Sequence, residues 1–227
     1  MNMGDTYRAG IIGCGGRGHA HGRGYSGAEG VEIAACADPV EESRDKFTSA
    51  FAPPAVYGDY REMLERENLD IVSVCTWPSM HREMIEAAAG SGVTAIFSEK
   101  PMAPTWGDCK ALYCACEDNG VVLPFCHQRR FGAAFVTAKR LLDEGAIGDL
   151  IRLEGQCPDI FDWGTHWLDM FNFYNGETSV EWIMGQIDAS ERKQIFGMPI
   201  TNCGLAWIRW TNGVEGLLAT GDAASYG

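Results

Sequence analysis

The sequence predicts a doubly wound α/β domain followed by an α+β domain with a mainly antiparallel open sheet. Three observations point there. Short apolar runs alternate with longer helical stretches through the first half, the pattern of a parallel sheet covered on both faces. A glycine-rich segment, GCGGRG at 13–18, follows the first of those runs. Beyond residue 126 the strand-like runs change character, and two of them are joined by an Asn-Gly hairpin signal.

The elements follow in order. Residues 8–13 (RAGIIG) form a strand, and the glycine segment after it opens a helix. A second strand covers 31–37 (VEIAACA). The helix predicted over 40–51 stops before Pro53 and Pro54, which cannot continue it. A short helix at 60–67 leads to a third main strand at 71–75 (IVSVC). An alanine-rich helix at 79–89, closed by Gly90 and Gly92, precedes a strand at 93–97. Thr105 is placed to cap a helix that runs to Asp118. The run 121–126 (VVLPFC) completes the parallel sheet, and right-handed crossovers give the doubly wound arrangement. The domain boundary falls near Cys126. A helix at 131–144, a strand at 149–156 and an aromatic-rich helix at 163–175 follow. Strands at 180–187, 204–210 and 214–220 end the chain, the last two joined by Thr211-Asn212-Gly213.

Composition narrows the function. The chain has 227 residues, 46% of them apolar and 22% charged, enough for one large or two small domains with a real core. The net charge of −13 argues against nucleic acid, whose phosphates require Lys and Arg, and against an anionic membrane surface. No basic leader precedes an apolar run, and no apolar stretch reaches membrane-span length. Nine cysteines occur without a CxxC pair, and Cys36, Cys75 and Cys126 sit in apolar runs as buried thiols. Cys114 and Cys116 do not face each other on a helix. A reducing, cytoplasmic setting without a metal fits best.

Gly13-Cys14-Gly15-Gly16-Arg17-Gly18 fits G-x-G-x-x-G, after a strand and opening a helix. Such glycines permit a tight turn and a close backbone approach to a pyrophosphate, which the free N–H groups of the helix start attract. Asp38 follows Gly18 by twenty residues at the end of the second strand. An acid there can bond both ribose hydroxyls of an adenosine and repel a 2′-phosphate, which favours NAD over NADP. His19 and His21, two apart at a helix start, do not make a metal pair.

Two further segments carry charge in telling places. Ser98-Glu99-Lys100-Pro101 ends an apolar strand, and Pro101 holds Lys100 extended. Read alone, a solvated strand end with a turn proline fits it equally well. In DIFDWGTHWLDM at 159–170, Asp162 and His166 are four apart and would share a helix face. An imidazole there could take a hydroxyl proton near neutral pH, but a helix cap at Asp162 fits the segment better by itself.

These pieces together resemble the Gfo/Idh/MocA family of NAD(P)-dependent oxidoreductases. The likeness rests on GCGGRG with Asp38, VCTWPSMHREMIEAAAGSGV, SEKPMA, QRRFGAAFVTAKRLLDEGAIGDL and DWGTHWLD, and it covers nearly the whole chain. It implies a Rossmann domain over 1–126 and a substrate-binding and oligomerisation domain over 127–227. It implies that Glu99 contacts the nicotinamide ribose side and that Lys100 reaches the substrate hydroxyl. Pro101 would hold both, through a cis bond. It makes His166 the proton-transferring residue and Asp162 its acidic companion. Thr76, Trp77, Pro78 and His81 would line the cofactor cleft, with Gln128 and Arg129 at the domain junction. The implied reaction moves a hydride between a sugar, inositol or related polyol and NAD, and Trp163 and Trp167 suit a sugar face. Relatives that recycle bound NAD during glycoside cleavage, or an idle NAD-binding protein, are the rival readings. The resemblance also implies a homo-oligomer paired through the second sheet. The chain is shorter than typical members, so the last strands of that sheet are expected to be missing.

Overall fold

The computed structural model describes residues 6–191, 193–201 and 203–224. The chain divides into two units, Met1–Cys126 and His127–Gly227.

The first unit runs β1 (Tyr7–Ile12), α1 (Gly16–Ser26), β2 (Val31–Ala37), α2 (Glu41–Phe51), β3 (Ala55–Tyr57), α3 (Tyr60–Arg66), β4 (Ile71–Val74), α4 (Pro78–Ala89), β5 (Ala95–Ser98) and α5 (Trp106–Asp118). The five strands pair in the order β3-β2-β1-β4-β5, all parallel. Successive strand residues face opposite sides of a sheet, and the central strand feeds two cores accordingly. Ile12 packs in a cluster with Val72, Val74, Ile85, Ile96 and Leu112. Ile11, one residue earlier, packs with Cys14, Cys36, Phe47 and Cys75 on the other side. Burial on both faces is why these strands read as unbroken apolar runs.

Thr105 caps α5 as expected, its side-chain oxygen accepting the Asp108 N–H at 3.1 Å. Two details differ from expectation. Strand β3 holds three residues beyond the Pro pair, too few to show any periodicity. The run 121–126 joins β5 only through parallel bridges at Ala95–Val122 and Ser98–Phe125. Pro124 lies between them and has no N–H to give a ladder.

The second unit opens with a 3₁₀ turn at Gln128–Phe131. It continues with α6 (Ala133–Asp143), β6 (Arg152–Cys157), α7 (Gly164–Tyr174), β7 (Val180–Asp188), β8 (Lys193–Ile195), β9 (Met198–Ile200), β10 (Cys203–Trp210) and β11 (Glu215–Gly221). The predicted helix at 131–144 is thus interrupted at its start, where Gly132 is extended at φ −73°, ψ 132°. The main sheet is ordered β6-β11-β10-β7, with β10 antiparallel to both neighbours and β11 parallel to β6. The Asn-Gly turn lies where predicted, with Gly213 at φ +86° and Arg209 opposite Glu215. The small β8–β9 hairpin was not anticipated.

Helix α7 covers one face of this sheet. Phe171 packs with Ile208, Trp210 and Leu218, and the Trp210 indole N–H donates to Asn172 Oδ1 at 3.2 Å. On β7 and β10, Ile183, Met184, Ile187, Leu205 and Trp207 remain exposed. Among the described residues, no helix is long and apolar enough to cross a membrane.

Candidate functional site

The glycines of the loop after β1 divide by task. Gly13 has φ +95°, and a Cβ there would stand 2.9 Å from the Cys75 carbonyl oxygen. A Cβ at Gly18 would stand 2.1 Å from the Gly13 carbonyl oxygen. Both glycines are therefore demanded by the fold of the loop itself. Gly15 and Gly16 are different, because a Cβ at either would meet nothing within 4 Å. The space over them is open, at the start of α1, where Gly15 is the N-cap and makes no side-chain cap bond. Unsatisfied first-turn N–H groups facing open space suit a phosphate. Arg17 follows in the first turn with an exposed side chain.

Cys14 contributes backbone rather than thiol. Its side chain is buried with Cys36, and the contact between the two sulfurs holds the Cys14 thiol far above its ordinary pKa and lowers that of Cys36. Its N–H donates to Asp38 Oδ2 at 2.8 Å. Asp38 Oδ1 accepts the Val40 N–H at 2.8 Å, and Arg44 Nη1 donates to the Asp38 carbonyl at 2.7 Å. Each carboxylate oxygen has a second lone pair, so Asp38 can still receive two hydroxyls.

Asp38, Gly13, Gly15, Thr76 and Trp77 line one cavity of about 550 Å³. Tyr60, Arg61, Met80 and Met84 line it too, and sequence reasoning did not single them out. Arg61 lies over the Tyr60 ring at 4.6 Å and pairs with Glu83. The four come from α3 and α4, whose place beside the glycine loop follows from strand order and not from any local motif. The open cradle at Gly15 and Gly16, the acid at Asp38 and this apolar-walled cavity together fit a dinucleotide.

Two predicted cleft residues, His81 and Pro78, are buried. His81 is wholly buried, with Nδ1 3.1 Å from the Met102 carbonyl and Nε2 3.2 Å from the Thr76 carbonyl. Burial lowers its pKa, with the carbonyls opposing in part, and the ring links α4 to the segment after β5. Pro78 is the buried first residue of α4. Glu99 is also turned inward. Its Oε1 lies 3.5 Å from His21 Nε2 and 3.9 Å from Arg17 Nε, and it is 4% exposed. Burial works to raise its pKa, but His21 and Arg17 outweigh this and hold it below the ordinary value. Lys100 follows, half-buried, and its peptide bond to Pro101 is cis.

In the second unit, Asp162 lies in the turn before α7, not on the helix, so it and His166 do not form a same-face helical pair. Nor does Asp162 cap α7. The N-cap position is Trp163, without a side-chain bond. The carboxylate that organises the turn is buried Asp159, whose Oδ1 accepts the Asp162 N–H at 2.5 Å and whose carbonyl accepts the Gly164 N–H at 2.9 Å. His166 is 5% exposed and meets the His127 ring edge-on, centroids 5.5 Å apart. His127 Nδ1 lies 3.8 Å from Asp169 Oδ1, and Arg130 bonds Asp169 and Glu177. Arg129 lies 5.3 Å from the Trp163 ring centroid and 5.9 Å from that of Trp167. Gln128 is exposed on the 3₁₀ turn. His127 and Asp169 escaped the sequence reading. The only signal was an acid three residues after His166, which a helix places on the same side.

Residues 7–127 match the profile of the Gfo/Idh/MocA family, described as an oxidoreductase family with an NAD-binding Rossmann fold. The chain belongs to this family. Curated Gfo/Idh/MocA relatives include D-apiose dehydrogenase of Paraburkholderia graminis, 36% identical over 142 residues, covering 63% of this chain and 38% of that protein. The scyllo-inositol 2-dehydrogenase (NAD(+)) of Bacillus subtilis is 30% identical over 153 residues, covering 67% of this chain and 44% of that protein. The matched segments thus span less than half the length of these relatives. The crystal structure of the WlbA dehydrogenase of Bordetella pertussis with NADH and UDP-GlcNAcA superposes with a TM-score of 0.84 at 21% identity, over 100% of this chain and 69% of that one. At that identity the likeness establishes the Gfo/Idh/MocA fold alone: a parallel five-stranded unit followed by a mainly antiparallel sheet.

Proposed function

We propose that this Gfo/Idh/MocA chain is an NAD-dependent dehydrogenase that oxidises a CH–OH group of a sugar, inositol or related polyol. The open cradle over Gly15 and Gly16, beside Asp38, carries the reading, and relatives named for D-apiose and scyllo-inositol dehydrogenation give the substrate class. NAD, when bound, supplies the hydride acceptor.

The roles of the residues follow from their chemistry. The N–H groups at the start of α1 bind the pyrophosphate, and Asp38 accepts the adenosine ribose hydroxyls while disfavouring a 2′-phosphate. Thr76 and Trp77 wall the nucleotide cavity. His166 accepts the substrate hydroxyl proton as general base. The Lys100 ammonium stabilises the negative charge that develops on that oxygen. Asp162 is the acidic companion of His166, and His127, 3.8 Å from Asp169, meets the same ring edge-on and helps to steady it.

Nine free cysteines, five of them buried, suit a reducing cytoplasm. The exposed apolar stripe on β7 and β10 suits pairing with a second copy. The functional test is a panel of aldoses, inositols and related polyols incubated with NAD and followed by NADH absorbance. Stoichiometric NADH from at least one member is expected. Substrate turnover with no net NADH would overturn the dehydrogenase assignment.

A further inference from the structure

We propose that His21, Glu99 and Cys126 form a binding site for a divalent transition metal of the zinc class within the first unit. The three residues come from separate places: α1, the segment after β5, and the end of the run 121–126. Their ligand atoms all lie within 4.8 Å of one another. Tetrahedral zinc, with bonds of about 2.0–2.3 Å to nitrogen, oxygen and sulfur, spaces its ligand atoms by roughly 3.5 Å. His21 Nε2 and Glu99 Oε1 already stand 3.5 Å apart. Cys126 Sγ lies within 4.8 Å of both, on a residue that is only partly buried.

The histidine is prepared for ligation. Its Nδ1 lies 2.9 Å from Ser73 Oγ, which is 2.7 Å from the Tyr25 hydroxyl. A ligating imidazole is usually oriented in this way through its other nitrogen. The ring also leans on Phe97, centroids 4.7 Å apart. The remaining nitrogen, Nε2, is buried and faces only Glu99 Oε1, at a long 3.5 Å that falls short of a well-formed hydrogen bond. A buried polar atom so loosely partnered is costly, and a metal held between the two groups would satisfy both.

The charges also close. A carboxylate and a thiolate with a neutral imidazole cancel a divalent ion, which suits a buried position. The mixed nitrogen, oxygen and sulfur set favours zinc over magnesium or calcium. Arg17 Nε, 3.9 Å from Glu99 Oε1, opposes a cation, but its side chain is 60% exposed and can turn to solvent. The metal-free alternative is an ion pair between His21 and Glu99 with the Cys126 thiol against the same carboxylate. A bound metal would fasten α1, which carries the glycine loop, to the segment that carries Lys100. Three protein ligands leave a fourth position for water.

The test is a Co²⁺ titration of the full chain after chelator treatment, with no nucleotide present. Saturable one-to-one binding is expected, with a thiolate-to-cobalt charge-transfer band that Zn²⁺ abolishes. Cys126→Ser should lose the band, and Ser73→Ala should weaken Co²⁺ binding by about 10–100-fold. His21→Gln gives a second ligand variant if Cys126→Ser does not fold, and it too should lose tight binding. Absence of the band in the wild type would overturn the proposal. So would an undiminished band in either folded variant, because the chain has nine cysteines and another would then be the ligand.

Discussion

His166→Ala is expected to reduce kcat for the polyol by about 10²–10⁴-fold, the usual worth of a positioned general base. The residue is 5% exposed on the first turns of α7 and meets His127 edge-on. A buried imidazole in a polar cluster is expensive to keep unless it is used or structurally required. The two cases separate experimentally. A general base removed should lower kcat and leave NAD-induced stabilisation of the first unit intact. A purely structural histidine removed should lower the unfolding midpoint and leave turnover per folded molecule near normal. His166→Asn, which keeps a polar side chain, should be as inactive as the alanine variant while restoring part of any lost stability. Lys100→Ala should cost a further 10²–10³-fold when measured alone, as loss of one transition-state donor does. The two losses should not multiply if both groups act on one oxygen. A His166→Ala enzyme within threefold of wild type in kcat would place the proton transfer on another group.

Gly18→Ala is expected to destabilise the first unit by about 3 kcal/mol or more, and Gly15→Ala by about 0.5 kcal/mol or less. The added methyl at residue 18 would stand 2.1 Å from the Gly13 carbonyl oxygen, a clash with backbone that no side-chain rotation relieves. At residue 15 it would meet nothing within 4 Å, and φ −74° there is ordinary for any L residue. The same methyl would occupy the space assigned to the pyrophosphate. Gly15→Ala should therefore unfold in urea like the wild type yet bind NAD at least tenfold more weakly. Stability and NAD binding part company in this one substitution. Normal NAD affinity in Gly15→Ala would move the pyrophosphate away from the loop.

The features legible in the sequence are those that backbone geometry dictates locally. GCGGRG announces its turn because only glycine tolerates φ +95° at Gly13 and the approach at Gly18. VEIAACA matches β2 residue for residue, since burial on both faces leaves a continuous apolar run. Thr105 and Asn212-Gly213 act within a few residues of themselves, so their effects are readable too. What escaped depends on partners distant in the chain. The buried setting of His81, with the carbonyls of Thr76 and Met102 at its two nitrogens, is one such case. Asp162 looked like the cap of α7, yet Asp159 organises that turn from an irregular segment with no periodic signal. Tyr60, Arg61, Met80 and Met84 reach the nucleotide cavity only because β2 and β4 flank β1.

The most direct measurement of the central claim is thermal unfolding of the purified chain alone, with NAD and with NADP. A ligand that binds only the folded state adds about 2.7 kcal/mol of stability at a hundredfold excess over its dissociation constant. The cradle at Gly15 and Gly16 with Asp38 beside it predicts a concentration-dependent rise with NAD and little or none with NADP at the same concentration. A cooperative transition that moves with neither nucleotide would contradict the dinucleotide site, and one that moves equally with both would contradict the part given to Asp38.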